Sequence, residues 1–405
     1  MHLSRPMRLD AANALGAKFP NATTRAAMTA TGNRKLRVAM IAFSPNHHTT
    51  RWARALTDAG LDVHVVGVST EDPQGLLRHH AAGRRLQRGI PILSAAAEWH
   101  DAVAAIRPDV VYIQWLFARP AMLLALEPKW PVVATVMGSD VEQDEALNES
   151  MLERVWRTAL LLRARYITTA AVPLARVVQQ YHPELLDRIR IVPFGVDTAQ
   201  FHPPRVPRRR QVGQPLVIGH FKSDDVTYGR LDLLRAVQAL LAEGAAVQLH
   251  LAGRRGNDGG AVTAYLAAHP AVAARVIDHG LCEVEAMPRL YQGLDVYVMN
   301  SLQESFGVAA AEALASGVPV IASDVGGVRC LVRPGDTGLL VPPADVPALT
   351  TALREIAGFP AFAQSAADRG RAHVCAKYEW LSVVQRMAAL IRDAAGEATL
   401  AAVAC

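Results

Sequence analysis

Cysteine is scarce in this chain: four occur among 405 residues, at positions 282, 330, 375 and 405, none in a paired metal-ligand spacing. That excludes a disulfide framework and a cysteine zinc site, and the buried or incidental thiols that remain suit a reducing compartment, so a cytoplasmic protein is expected. Long apolar runs are also missing. The hydrophobic stretches are short and interrupted, and none approaches the roughly 18–20 residues that a membrane-crossing helix needs. Basic runs such as residues 205–210 carry no interleaved aromatics, which argues against a nucleic-acid partner. A dinucleotide-binding enzyme should show G-x-G-x-x-G after its first strand, yet residues 42–50 read AFSPNHHTT, without a glycine. No D-x-D pair occurs near the phosphate-binding region and no set of oxygen ligands assembles, so neither a metal nor a cofactor is expected.

What is present is the composition of a folded protein, 51% hydrophobic and 20% charged with a net charge of +5, and a length that calls for two domains. Residues 1–33 are rich in Ala, Thr and Arg, lack a secretory apolar core, and read as a disordered leader. Strand-like runs follow at 36–43, 63–68, 109–115, 132–136, 166–169 and 189–193, with helical spacing between them, as over 50–59. Nearly continuous Val and Ile imply strands buried on both faces, hence a parallel sheet covered by helices. Residues 197–214, with Pro203, Pro204, Pro207 and the arginine run, interrupt the pattern. It resumes at 216–221, 247–252, 276–279, 295–299, 319–323 and 338–341. The expected fold is therefore α/β, with two Rossmann-like doubly wound domains, 34–198 and 215–378, facing a cleft. A linker, 199–214, joins them, and a terminal segment, 379–405, is expected to pack back on the first domain. Ligands of such sheets bind at the carboxyl ends of the strands. The architecture alone names no function.

Residues 295–327 read DVYVMNSLQESFGVAAAEALASGVPVIASDVGG. A strand leads through a polar loop to Gly307, which opens a helix. The backbone N–H groups of Ser305, Phe306, Gly307 and Val308 then lie at a helix N-terminus, a ready site for phosphate. Glu304 falls in the loop and Glu312 about two turns into the helix, too far apart to form a dyad but able to line one elongated ligand. A carboxylate beside phosphate needs a separate purpose, and a vicinal diol of ribose or hexose supplies one, since ionised carboxylates accept two hydroxyl hydrogen bonds.

The E-x(7)-E pair in its N-S-L-x-E-S-F-G context resembles the donor-site signature of retaining glycosyltransferases of GT-B family 4. Residues 108–112, 192–197, 201–203 and 336–342 resemble further stations of that family, and the likeness spans most of 36–395. The resemblance implies retaining transfer of a hexose from a nucleoside-diphosphate sugar to a glycan, lipid-linked or small-molecule acceptor. Glu312 would hold the ribose hydroxyls and Glu304 would face the transferred sugar. The family's usual diphosphate cations are replaced here by His220 and Tyr228, which leaves Lys222 and Arg230 as candidates. In the first domain Met137 stands where many relatives have His; Asp140, in a G-S-D turn, could reach sugar or acceptor. An H-T-x-R-W arrangement, shared with relatives of that branch, would turn His48 and Arg51 toward the cleft, with His47 packing in the loop. A nucleotide-sugar epimerase and a catalytically degenerate nucleotide-sugar-binding module share this architecture. Residues 151–167 carry four arginines beside Trp156 and several leucines. A surface helix with its apolar face in the core is the favoured reading there, and peripheral contact with the inner membrane the other.

Overall fold

The computed structural model describes residues 34–42, 47–67, 78–81, 92–116, 127–138, 140–141, 151–206, 210 and 213–397. The leader 1–33, Ser139, the His47 side chain, parts of the linker and the last eight positions of the terminal segment lie outside the described residues.

Two all-parallel sheets form. The first contains β1 (Arg37–Ile41), β2 (Asp62–Gly67), β3 (Arg78–Ala81), β4 (Val110–Gln114), β5 (Val132–Val136), β6 (Tyr166–Thr169) and β7 (Ile189–Ile191), in the order β3-β2-β1-β4-β5-β6-β7. The second contains β8 (Leu216–Phe221), β9 (Val247–Ala252), β10 (Val276–Asp278), β11 (Val296–Met299), β12 (Val320–Ser323) and β13 (Gly338–Val341), in the order β10-β9-β8-β11-β12-β13. The central strands β4, β5, β8, β11 and β12 are buried along their whole length, as their apolar sequences require when helices cover both faces. Strand order reverses between β1 and β4 and between β8 and β11, so each domain has its crevice there, beyond the carboxyl ends. Strand β3 was not expected. Its sequence, RHHA, is polar because it closes an edge, and an edge strand needs no continuous apolar run.

The chain crosses between domains twice, and the crossings are bonded to each other. Val196 N–H donates to the Tyr378 carbonyl at 2.7 Å and Trp380 N–H to the Val196 carbonyl at 2.9 Å. Gly195, at φ 71°, makes this possible, because a Cβ there would lie 3.1 Å from the Trp380 ring. Beyond the second crossing, helix Trp380–Ala394 buries Val383, Met387, Leu390 and Ile391 against Trp52, Met40 and Val133 of the first domain. The stretch after the first crossing is not a free tether: Phe201 is buried in the second domain's core, its ring 5.9 Å from that of Tyr291. Helix Met151–Arg163 places Leu160 and Leu161 in the first domain's core, so these apolar side chains are taken up by the fold. Among the described residues no helix is long and apolar enough to cross a membrane.

Candidate active site

The loop between β11 and helix Val308–Ala315 is held from both sides. Asn300 Nδ2 donates to the Gly229 carbonyl at 2.6 Å and Leu302 N–H to Thr227 at 2.7 Å; on the other side Gly327 N–H donates to the Glu304 carbonyl at 3.1 Å. Gly307 caps the helix at φ 95°, a left-handed conformation, and a Cβ there would come within 2.8 Å of the Met299 side chain. Five of the helix's eight residues are alanine because it is sandwiched: helix Pro360–Tyr378 packs on it, and a Cβ on Gly370 would lie 2.5 Å from Leu314. No side chain caps its first turn. The leading N–H groups, which have no acceptor within the helix, therefore carry its partial positive charge toward the Glu304 loop. Phe306 itself points inward, buried and packed on Phe194 and Tyr378, so it offers the site its backbone alone.

Lys222 follows β8, across the switch point from this loop, and its Nζ lies 2.7 Å from Glu304 Oε2, with both side chains mostly buried. The ammonium also stands 4.7 Å above the Tyr228 ring. Tyr228, which occupies the family's usual lysine position, thus serves as a platform for a cation delivered from Lys222. His220, in the usual arginine position, is fully buried and hydrogen-bonded through Nδ1 to the Val298 carbonyl at 3.1 Å. Burial, with the Arg230 charge next in weight, pushes its pKa down to about 3, so the imidazole is neutral.

Helix Val308–Ala315 starts one residue after Gly307, so Glu312 is its fifth residue, little more than one turn in rather than two. Its Oε2 accepts a hydrogen bond from the Tyr291 hydroxyl at 3.0 Å. Burial raises its pKa from 4.5 to about 7, opposed by that hydrogen bond and by Arg51 and Lys222. Tyr291 is clamped edge-on by Phe201, Phe221 and Tyr297, a wholly buried aromatic floor that fixes its hydroxyl. Burial, and then the Glu312 charge, raise the Tyr291 pKa well above its ordinary value, so it remains a donor.

Two expected site residues have other duties. Asp140 is 1% exposed; its Oδ1 accepts from the N–H groups of Met137 and Gly138, both at 2.9 Å, and its Oδ2 from Leu116 at 3.0 Å. This carboxylate ties the loops after β4 and β5 together, so the expectation that it reaches substrate is corrected. Burial raises its pKa and the backbone donors oppose the rise. Arg230 is buried, and its Nη2 donates to the carbonyls of Lys222 and Ala252. It braces the backbone that carries Lys222, and it also lines the cavity at the carboxyl ends of β8, β9 and β10, with its buried Nε lacking a hydrogen-bond partner. Asp224 and Asp225 likewise accept from Gly256 and Asn257 and hold a loop.

The first domain closes over the site. A Cβ on Gly138 would lie 3.3 Å from that of Ser305, and one on Gly327 2.9 Å from that of Ala171. His48 is exposed at the rim, its ring 6.0 Å from Phe194, which in turn lies 6.0 Å from Phe306. Arg51 stacks 3.8 Å over the Trp380 ring and leaves a buried Nη2 without a hydrogen-bond partner. Burial lowers its pKa, while Glu312, from the opposite domain, and Asp197 raise it. Sequence reasoning turned Arg51 toward the cleft without giving it a role, and it missed Tyr291 altogether, because nothing local marks a tyrosine that serves a residue 21 positions away. It also passed over Arg254 and Arg255, exposed beside a cavity of about 660 Å³ at the carboxyl ends of β8, β9 and β10. Among the described residues no cluster of three or more His, Cys, Asp or Glu could hold a metal.

The whole arrangement, two doubly wound domains with a cation, two carboxylates and a helix N-terminus at the second switch point, is that of a GT-B glycosyltransferase. Residues 216–358 match the family described as Glycosyl transferases group 1, and residues 37–171 match Glycosyl transferase 4-like. The chain belongs to the group 1 glycosyltransferases, with both halves of the fold represented. It is 28% identical to the glycogen synthase of Mycobacterium tuberculosis over 374 residues, covering 83% of this chain and 87% of that protein. In fold it resembles sucrose-phosphate synthase from Thermosynechococcus elongatus, at TM-score 0.72 and 20% identity over 89% of this chain and 99% of the other. It also resembles Anabaena HepE in complex with UDP-glucose, at TM-score 0.70 and 16% identity over 88% of this chain and all of the other.

Proposed function

We propose that the protein transfers a hexose from a nucleoside-diphosphate sugar to a glycan, lipid-linked or small-molecule acceptor, with retention of anomeric configuration, in the cytoplasm. The observation that carries this reading is the alignment of Lys222, Glu304, the Gly307 helix start and Glu312 along one crevice. In it the nucleoside enters the cavity beside Arg254 and Arg255, and the ionised Glu312 accepts from the ribose hydroxyls. The diphosphate meets the N–H groups of residues 305–308 and Lys222, which exchanges its ion pair with Glu304 for phosphate. Glu304, so released, faces the sugar. The bond between the anomeric carbon and the phosphate oxygen breaks as the acceptor oxygen bonds to the same face, and the acceptor's proton passes to the leaving phosphate oxygen. No separate general base is required. The fixed donors stabilise charge that builds on the leaving group. The names of the glycogen synthase relative and of the HepE complex with UDP-glucose support a sugar-nucleotide donor and polysaccharide synthesis.

The test is a panel of UDP-, GDP- and ADP-sugars, assayed for nucleotide release with and without acceptor, with the product's anomeric configuration read by NMR. Retention with acceptor-dependent release is expected, undiminished by EDTA. Inverted product overturns the stereochemical reading. Interconversion of the sugar with donor alone makes the protein an epimerase, and nucleotide binding without turnover makes it a binding module.

A further inference from the structure

The amino ends of β5, β6 and β7 lie at the edge of the first sheet away from the cleft. The segments leading into them bring Lys129, Arg163, Arg165 and Arg188 together, β7 adds Arg190, and the five line a concavity of about 690 Å³ with one carboxylate, Asp187. Three of the four guanidinium groups are anchored by main-chain oxygens. Arg163 Nη2 donates to Trp130 at 2.7 Å, Arg188 Nη1 to Leu162 at 2.6 Å and Arg190 Nη1 to Asp187 at 2.7 Å. A carbonyl fixes a guanidinium without cancelling its charge, and in Arg188 and Arg190, each bonded through Nη1, it leaves further N–H donors to serve a ligand. Aromatic rings hold the cations in the same charge-sparing way: Arg190 and Arg165 lie 5.0 and 5.9 Å from the Tyr166 ring, and Lys129 lies 5.9 Å from Trp130.

Two further acids reach the rim. Asp393 of the terminal helix lies 3.6 Å from Arg165 and accepts from the Tyr166 hydroxyl, and Glu127 acts on Arg163. Five cations against three carboxylates still leave the wall positive. Cations on an ordinary solvated face are free to splay apart, whereas Arg163, Arg188 and Arg190 are held in place by backbone oxygens, so an entering anion meets donors that are already positioned. Leu162, Leu186 and Ile191, each next in sequence to a residue of the hollow, are exposed.

We propose that this hollow binds a multiply charged phosphate-bearing group, separately from the donor cleft. Arginine forks match phosphate oxygens two at a time. The group could belong to an anionic lipid headgroup or to a free oligophosphate, and the experiment separates these sources. The full-length Lys222→Ala protein, in which phosphate binding at the cleft is weakened, is titrated with tripolyphosphate by calorimetry. It is also sedimented with vesicles of phosphatidylcholine alone or mixed with phosphatidylglycerol. At least one anionic probe is expected to bind, and to lose about tenfold in affinity when Arg165 and Arg190 are both changed to Ser, the scale of lost charge-assisted hydrogen bonds. Binding to the mixed vesicles identifies a lipid source, and binding to tripolyphosphate alone a free one. Should the double variant fail to fold, Arg165→Glu, at a side chain 55% exposed, is expected to weaken the same binding. No binding of either anionic probe, or binding indifferent to these changes, overturns the proposal.

Discussion

The two domains share the strand order 3-2-1-4-5-6, yet they use the ends of their strands differently. In the second, two carboxylates stand at the crevice with few fixed donors: Glu304 has Lys222 and Glu312 has Tyr291. In the first, Asp140 lies at the matching edge but is saturated by three backbone N–H groups. A carboxylate whose lone pairs are taken by its own backbone is an architectural clamp, whereas one held by a single exchangeable partner is free to take a ligand. Under the proposed function the donor chemistry falls to the second domain. The first is left with closure, through Gly138 against Ser305 and through Arg51.

The largest effect that would sharpen this contrast is on turnover. Glu304→Ala is expected to lower kcat by roughly 100-fold or more, the scale seen when a group acting mainly in the transition state is removed, with nucleotide affinity little changed. Asp140→Ala should act on stability instead. Leaving two buried N–H groups and one part-buried one unsatisfied costs roughly 2–6 kcal/mol of stability, visible as a lower urea midpoint, while nucleotide binding to the folded fraction is unchanged. If Asp140→Ala folds with native stability and is inactive, the division of labour drawn here fails.

Glu312 is predicted to show a pH signature. Its carboxyl holds its proton to about 7 in the folded chain, against 4.5 when unperturbed. Between these values the unfolded state loses the proton first, so stability falls as pH rises from 4.5 to about 7 and levels off above. Glu312→Gln should remove that slope and raise ligand-free stability above the upper value by roughly 1–3 kcal/mol. Nucleotide binding by the wild type should tighten as pH rises through the same region, because only the ionised carboxylate accepts from both ribose hydroxyls. A flat binding profile from pH 6 to 8 in calorimetry counts against this role. The smallest effect is expected from Arg51→Met, a few-fold rise in donor KM, since the cation acts on Glu312 from the facing domain through space.

Much of this was legible in the sequence. Continuous Val and Ile runs marked twelve of the thirteen strands, and the loop glycine at 307 marked the helix start. Strand β3 escaped because edge strands carry no apolar signature, and the depth of Glu312 in its helix was overestimated. The partnerships were harder. Asp140 looks like a ligand-binding residue because polarity is visible in a sequence, but its backbone donors are not, and the bonds from Arg230 to the Lys222 and Ala252 carbonyls are equally invisible. Tyr291 and Tyr228 look like ordinary aromatics until folding sets one under Glu312 and the other under Lys222.

The most direct test measures the donor nucleotide's Kd and the enzyme's kcat side by side for Glu304→Ala and Glu312→Ala. The account predicts a split, with Glu312→Ala weakening nucleotide binding by about tenfold, as loss of hydrogen bonds to a charged acceptor should, and Glu304→Ala leaving Kd nearly intact while kcat collapses. Wild-type Kd and kcat in both variants would contradict it.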